Sequence, residues 1–277
     1  MDQWERWLGE QRYSGLSDAE VDAGRQLLAA IRTQLLREAA PGPGQTVLEI
    51  GCGAGEFLPG LLQAVGPEGR VEALDLSPGL CAQAEAVRAA HPLGARARVQ
   101  QGDMRQLPFA PASFDAVFCR AVLQYAGPEL PAVAAEIARV LRPGGRCAAF
   151  EICTANERPL LPLPRSAAQR RAHARALGAW RHLPHRLSRG GLASAFAPPA
   201  FFDCTVSTSV IDWQQPYNPA RFAAILEQVP RPGCPPLREV FAAAFGPQER
   251  AAWEELLREA THAAQRGAWA YLRAVRA

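Results

Sequence analysis

Two hydrophobic periods alternate along this 277-residue chain. Val21, Leu27, Leu28, Ile31, Leu35 and Leu36 recur at mainly helical spacing. They follow Ser17-Asp18-Ala19-Glu20, a capping-box pattern, and the helix they predict stops before Pro41-Gly42-Pro43-Gly44. Thr46–Ile50, Val71–Leu76, Ala97–Gln101, Phe114–Cys119 and Arg146–Ile152 then read as strands. Helical spacing over residues 55–65, 78–90 and 130–142 lies between them. This alternation predicts an α/β fold: a doubly wound, mostly parallel sheet with helices on both faces. After Glu151 the pattern weakens. Residues 156–200 are rich in Pro, Arg and His; Phe202–Val210 reads as a strand. Residues 219–266 read as helical, broken near Pro230–Pro236, and Ala268–Val275 as a last strand. The expected organisation is a leader and capping helix over 1–40, a core over 41–155, and further strands with long insertions over 156–277 in the same domain.

Composition narrows the function classes. A hydrophobic content of 48% with 21% charged residues is that of an ordinary globular domain. All 30 basic residues are arginines and they are scattered, so no dense patch points to nucleic acid. The start, MDQWERW, lacks the basic and apolar regions of a secretory signal. No apolar run approaches the ~20 residues that span a bilayer. Seven cysteines without CxxC spacing fit neither a disulfide framework nor a zinc ribbon; free thiols in a reducing cytoplasm are expected. His182 and His185 lack a clear third ligand, so no metal is expected.

The candidate chemistry begins at VLEIGCGAGEF, residues 47–57, where Gly51, Gly53 and Gly55 follow an apolar run. Such a turn, at the carboxyl end of a first strand, binds a cofactor in sheets of this kind. A dinucleotide fingerprint, GxGxxG, would need its third glycine at residue 56, which is Glu56. That side chain would crowd the helix contact and set an anion beside a pyrophosphate. S-adenosylmethionine has no phosphate, and its sulfonium and ammonium tolerate nearby carboxylates. Asp75, 20 residues after Gly55, suits a ribose diol in either class. In Gly102-Asp103-Met104 a carboxylate can accept from an adenine amine while the next N–H donates to the ring.

Glu49-x-Gly51-x-Gly53-x-Gly55, Asp75, Gly102-Asp103, Phe114-Asp115 and Leu141-Arg142-Pro143-Gly144-Gly145 together resemble class I S-adenosylmethionine-dependent methyltransferases. The likeness is to the small-molecule group that includes ubiquinone and menaquinone biosynthesis enzymes, and it covers about residues 45–152. The resemblance implies a seven-stranded sheet with an antiparallel last strand. It implies that the turn, with Glu49, Gly51, Cys52, Gly53 and Gly55, cradles the cofactor's methionine part. Asp75 and Leu76 would then bind the ribose side, Asp103 and Met104 the adenine, and the Arg120 backbone would lie near the amino group. In many members of that family this position is a small polar residue, so the Arg120 side chain is a departure. Tyr13 is a candidate cover over the cofactor.

The expected function is methyl transfer to a small molecule at O, N or C. Tyr125 and Glu151 are the candidate bases. The insertions are expected to form a helical lid, with Trp180, Phe201, Trp213, Tyr217 and Phe222 as apolar walls and Arg181 and His182 as polar contacts. Cys119 and Cys153 raise the alternative of thiolates holding arsenite, as in arsenite methyltransferases of this fold. The rival functions are a nicotinamide-dependent oxidoreductase, disfavoured by Glu56 and Asp103, and a non-catalytic S-adenosylmethionine-binding sensor or partner subunit. The acceptor's identity and the oligomeric state are not fixed by these residues.

Overall fold

The computed structural model describes residues 2–11, 18–183, 187–229 and 233–277, without the side chains of Gln11, Ala19, Glu20, Ala23 and Trp213. A short helix α1 (Gln3–Arg6) runs into a π-helical turn at Trp7–Gln11, and α2 spans Asp18–Ala39. There follow β1 (Thr46–Ile50), α3 (Leu58–Val65), β2 (Arg70–Asp75), α4 (Pro78–Ala90), β3 (Ala97–Gln101), β4 (Phe114–Arg120), α5 (Leu130–Val140) and β5 (Leu141–Ile152). The remainder comprises β6 (Arg158–Pro162), α6 (Ala167–Arg181), α7 (Arg189–Ala195), β7 (Phe201–Pro216), α8 (Pro219–Leu226), α9 (Leu237–Ala244), α10 (Pro247–Glu259) and β8 (His262–Arg276).

β1 lies between β2 and β4 in parallel register, β3 extends the sheet beyond β2, and β5 beyond β4. β8 closes antiparallel on β5, pairing Trp269 with Ile152 and Val275 with Arg146. β7 runs the length of β8 on its other edge. The expected antiparallel last strand is therefore present, but the sheet has eight strands rather than seven. The additional one, β6, pairs with the first part of β8, Leu161 opposite Ala264. That pairing also overturns the helical reading of residues 260–266. Ala263, Ala264 and Gln265 are at ease in helices, but β6 and β7 offer ladder partners on both edges, and tertiary pairing overrides weak local preference.

Alternation along the strands sends side chains to opposite faces. Val47 and Phe118 pack with Leu35, Leu58 and Leu62 of α2 and α3. Leu48, Ile50, Val117 and Cys119 pack with Val133 and Ile137 of α5 and Leu192 of α7. Buried on both faces, these strands are near-continuous apolar runs, as a parallel sheet requires. A third cluster joins β6 and the start of β8 to α6, α8, α9 and α10 around Trp180, Phe222, Phe241, Trp253 and Leu256. Among the described residues, no helix is long and apolar enough to cross a membrane.

Candidate active site

The turn after β1 is built by glycine at positions that admit no other residue cheaply. Gly51, Gly53 and Gly55 have φ of +72°, +53° and +83°, in the left-handed region. A Cβ at Gly51 would lie 2.7 Å from Val122 Cγ2, and one at Gly55 2.8 Å from Ala84 Cα. Gly55 thus lets the loop press against α4, and α3 begins only at Leu58, later than the spacing suggested. Four of the turn's N–H groups are bonded inside the protein. Gly51 and Cys52 donate to Leu74 O at 2.7 and 3.1 Å, Gly55 donates to Cys52 O at 3.0 Å, and Gly53 donates to Asp75 Oδ2 at 2.8 Å.

Asp75 closes β2 beside this turn and also accepts from the Ser77 N–H at 3.0 Å. Burial pushes its carboxyl above the usual range, against the pull of those two backbone donors. Asp103, past β3, accepts from the Arg105 backbone and guanidinium, both at 2.9 Å. Arg105 also pairs with Glu129. Arg120, the last residue of β4, keeps its side chain 12% exposed, with Nη2 3.4 Å from Glu56 Oε2. Its Nε is buried and has no partner.

These residues surround a cavity of about 490 Å³, within the usual range of ligand pockets. Its floor is Ile50, Gly51, Gly53, Leu74, Asp75, Gly102, Asp103, Met104 and Arg120; Ala121, Val122, Gln124, Tyr125 and Ile152 form one wall. The roof is the leader: Gln3, Trp4, Trp7 and Leu8. Asp2 caps α1 by accepting the Trp4 and Glu5 N–H groups, and Glu5 returns the bond to the Asp2 N–H. The Glu5 carboxylate lies where a side chain on Gly79 would stand. Trp4 meets Tyr125 edge to face at 4.7 Å, and Trp7 Nε1 donates to Val229 O at 3.1 Å. The leader therefore rests on α4, on Tyr125 of the cavity wall and on Val229. The aromatic residues at its start were its signal in the sequence; their position over the cavity was not legible there.

Several sequence expectations change. Gly51, Gly53, Asp75, Leu76, Asp103, Met104, Arg120 and Tyr125 line the cavity together. Glu49, Cys52 and Gly55 do not line it. They form the turn's foundation: Cys52 is fully buried in the apolar core, and Glu49 lies beneath with both carboxylate oxygens unpartnered. Burial raises Glu49 to about 8, the Arg120 guanidinium opposing that rise. Glu151 is not a cavity base. It is wholly buried and accepts the N–H groups of Val122, Leu123 and Gln124 at 3.0, 2.9 and 3.2 Å, fixing the chain that leaves β4. Burial nonetheless carries it to about 7, against those three donors.

Tyr13 and His185 lie outside the described residues. His182 sits at the exposed end of α6, its Nδ1 2.7 Å from Gly178 O. The lid expected from 156–200 and 212–266 is overturned: among the described residues, none of either segment lines the cavity. Trp180, Tyr217 and Phe222 pack within or against the third core cluster, and Phe201 belongs to the α5 face, because these segments have their own apolar interior to fill. Cys119 and Cys153 are buried in that same α5-face core and also stay outside the cavity lining, which removes the thiolate reading.

Residues 47–145 match the family described as methyltransferase domain. Nocamycin O-methyltransferase of Saccharothrix syringae is 36% identical over 49% of this chain and 46% of its own length. Demethylmenaquinone methyltransferase of Lactococcus lactis is 32% identical over 49% of this chain and 52% of its own length. The matches thus span about half the length of these curated relatives. Among solved structures, geranyl diphosphate C-methyltransferase from Streptomyces coelicolor covers 91% of this chain and 82% of its own, with a TM-score of 0.52 and 18% identity, a likeness of fold. Residues 47–145 thus form a methyltransferase domain, and it is over this part that the chain is similar to these S-adenosylmethionine-dependent enzymes.

Proposed function

We propose that the protein binds S-adenosylmethionine in the cavity under the leader and transfers its methyl group to a small-molecule acceptor at O, N or C. One observation carries this reading. The cavity runs from Asp103 and Met104, past Asp75, to Gly51, Gly53 and Arg120, and its turn offers no spare N–H at Gly51, Cys52, Gly53 or Gly55. Phosphate-binding loops present exactly such free donors, so a dinucleotide is poorly served here. A ligand with a nucleoside at one end and a charged amino acid at the other is well served: Asp75 for the ribose hydroxyls, Asp103 and the Met104 N–H for the adenine edge, Leu76 and Leu80 for its faces.

The cofactor supplies a methyl group already activated by a sulfonium. The protein's part is then alignment and exclusion of water. Trp4, Trp7 and Leu8 close the cavity from above, while Val122, Tyr125 and Ile152 give an apolar wall beside the turn for the acceptor. Asp75 and Asp103, the carboxylates of the described lining, are held by Gly53, Ser77 and Arg105. Tyr125 remains as a polar group able to orient or deprotonate an acceptor. The partner is a small molecule rather than nucleic acid, a reading supported by the scatter of the arginines along the sequence. A reducing, cytoplasmic setting accords with the free cysteines Cys52, Cys81, Cys119, Cys147, Cys153, Cys204 and Cys234.

Calorimetric titration with S-adenosylmethionine, S-adenosylhomocysteine and NAD tests the reading. Binding of the first two and not of NAD is expected, followed by S-adenosylhomocysteine release with a panel of phenols, enols and carboxylic acids. Binding of NAD with no response to S-adenosylmethionine overturns it. A complex whose methyl carbon is walled off from solvent by side chains would assign a sensor instead.

A further inference from the structure

We infer that Arg120 is the carboxylate receptor of this cavity, holding the methionyl carboxylate of the bound cofactor through its Nε and one Nη. The inference rests on the S-adenosylmethionine reading above and assigns a role to the Arg120 side chain.

The first ground is a count of donors. An α-carboxylate entering the cavity needs N–H partners. The turn cannot supply them from Gly51, Cys52, Gly53 or Gly55, whose N–H groups bond Leu74, Asp75 and Cys52. The chain after β4 cannot either: Ala121 donates to Phe150 O at 2.7 Å, and Val122, Leu123 and Gln124 donate to Glu151. Arg105 is engaged by Asp103 and Glu129. Among the described lining residues, Arg120 Nε is the buried side-chain donor left without a partner. Such an orphan is costly unless a ligand completes it.

The second ground is geometry. Nε and an adjacent Nη of a guanidinium present two parallel donors that match a carboxylate. Arg120 has one neighbour competing for that fork, Glu56, at 3.4 Å, and Glu56 is shared with Arg32 at 3.4 Å. A pair that long and half-exposed on the Glu56 side is weak, so a ligand carboxylate can take the fork without breaking a strong bond. Glu56 stands beside Arg120 and Glu49 lies beneath the turn, and these carboxylates suit the ammonium and sulfonium of the same ligand.

The third ground is distance. Asp103 follows β3 and Arg120 ends β4, and the sheet order is β3-β2-β1-β4. Three strand spacings separate them, about 14 Å. An extended molecule with adenine at one end and an amino acid at the other bridges that span, passing Asp75 after β2 and the turn after β1.

The test is a ligand-by-variant comparison by calorimetry on the full chain, with wild type, Arg120→Met and Arg120→Lys. The ligands are S-adenosylhomocysteine, its decarboxylated amine analogue and 5′-methylthioadenosine. Arg120→Met is expected to weaken S-adenosylhomocysteine about tenfold to a hundredfold, the range for a lost charge-assisted bond. It should change the two ligands lacking the carboxylate less than threefold, and their retained binding shows that the variant is folded. Arg120→Lys should recover part of the loss, because a point charge replaces the fork. Equal losses for all three ligands would make Arg120 a structural residue and overturn the inference. So would an unchanged S-adenosylhomocysteine affinity, and a KM effect on an acceptor would then place the side chain against that acceptor. If wild type binds none of the three ligands, the functional reading itself fails, and the inference with it.

Discussion

At the residue scale, the site is a balance between groups that line the cavity and groups that shape the turn. Asp75 is in both sets, since Gly53 N–H is bound to one of its oxygens. Asp75→Ala is expected to weaken S-adenosylhomocysteine about tenfold to a hundredfold in calorimetry, with a measurable loss of stability as well. Gly55 does not line the cavity, yet Gly55→Ala drives a Cβ into the Ala84 backbone at positive φ. It should cost about 2–4 kcal/mol in urea denaturation. The two buried glutamates set a pH dependence. Burial raises Glu49 to about 8 and Glu151 to about 7, from an ordinary value of 4.5. Between 4.5 and those values the native protein holds protons that the unfolded chain has released, so stability falls as pH rises through 7 and 8. Glu49→Gln should flatten the decline at its upper end, read as urea midpoints at pH 6 to 9; an unchanged slope would show that Glu49 is ionised in the native state.

At the scale of elements, the leader does what the long insertions were expected to do. α1 is a single turn, too short to be stable alone. Its capping box and the contacts of Glu5, Trp4 and Trp7 with α4, Tyr125 and Val229 hold it in place. Trp4→Ala removes an aromatic pair worth about 0.5–1.5 kcal/mol. It is expected to speed S-adenosylhomocysteine dissociation about two- to tenfold in stopped-flow measurements. Hydrogen exchange in residues 3–11 should slow on ligand binding in wild type and less so in the variant.

At the scale of the whole molecule, the helices α6, α8, α9 and α10 form a buttress on the far part of β8, not a cover. Trp253 is at the centre of it, within ring contact of Phe222, Phe241 and Phe245. Trp253→Ala should destabilise the chain by about 3–5 kcal/mol. In the folded fraction the affinity for S-adenosylhomocysteine should be unchanged, because none of these rings reaches the cavity. A large affinity loss at temperatures well below the unfolding midpoint would restore these helices to the binding site.

The sequence by itself determined the sheet from β1 to β5 and the turn. All of those strands but the edge strand β3 are largely buried and so read as apolar runs, and the three glycines take backbone angles that other residues resist. It also marked Asp75 and Asp103, because residues at strand ends inherit their place from the strands. The tertiary structure decided the rest. Whether residues 262–266 are helix or strand depended on ladder partners in β7, Pro216 for His262 and Asp212 for Arg266. Whether Glu151 faces a ligand or three backbone amides depended on the path of the chain after β4. Which aromatics roof the cavity and which fill a core depended on where α1 docks, and docking is a property of surfaces that meet only after folding. Local periodicity records how much of a side chain is buried; it does not record against what.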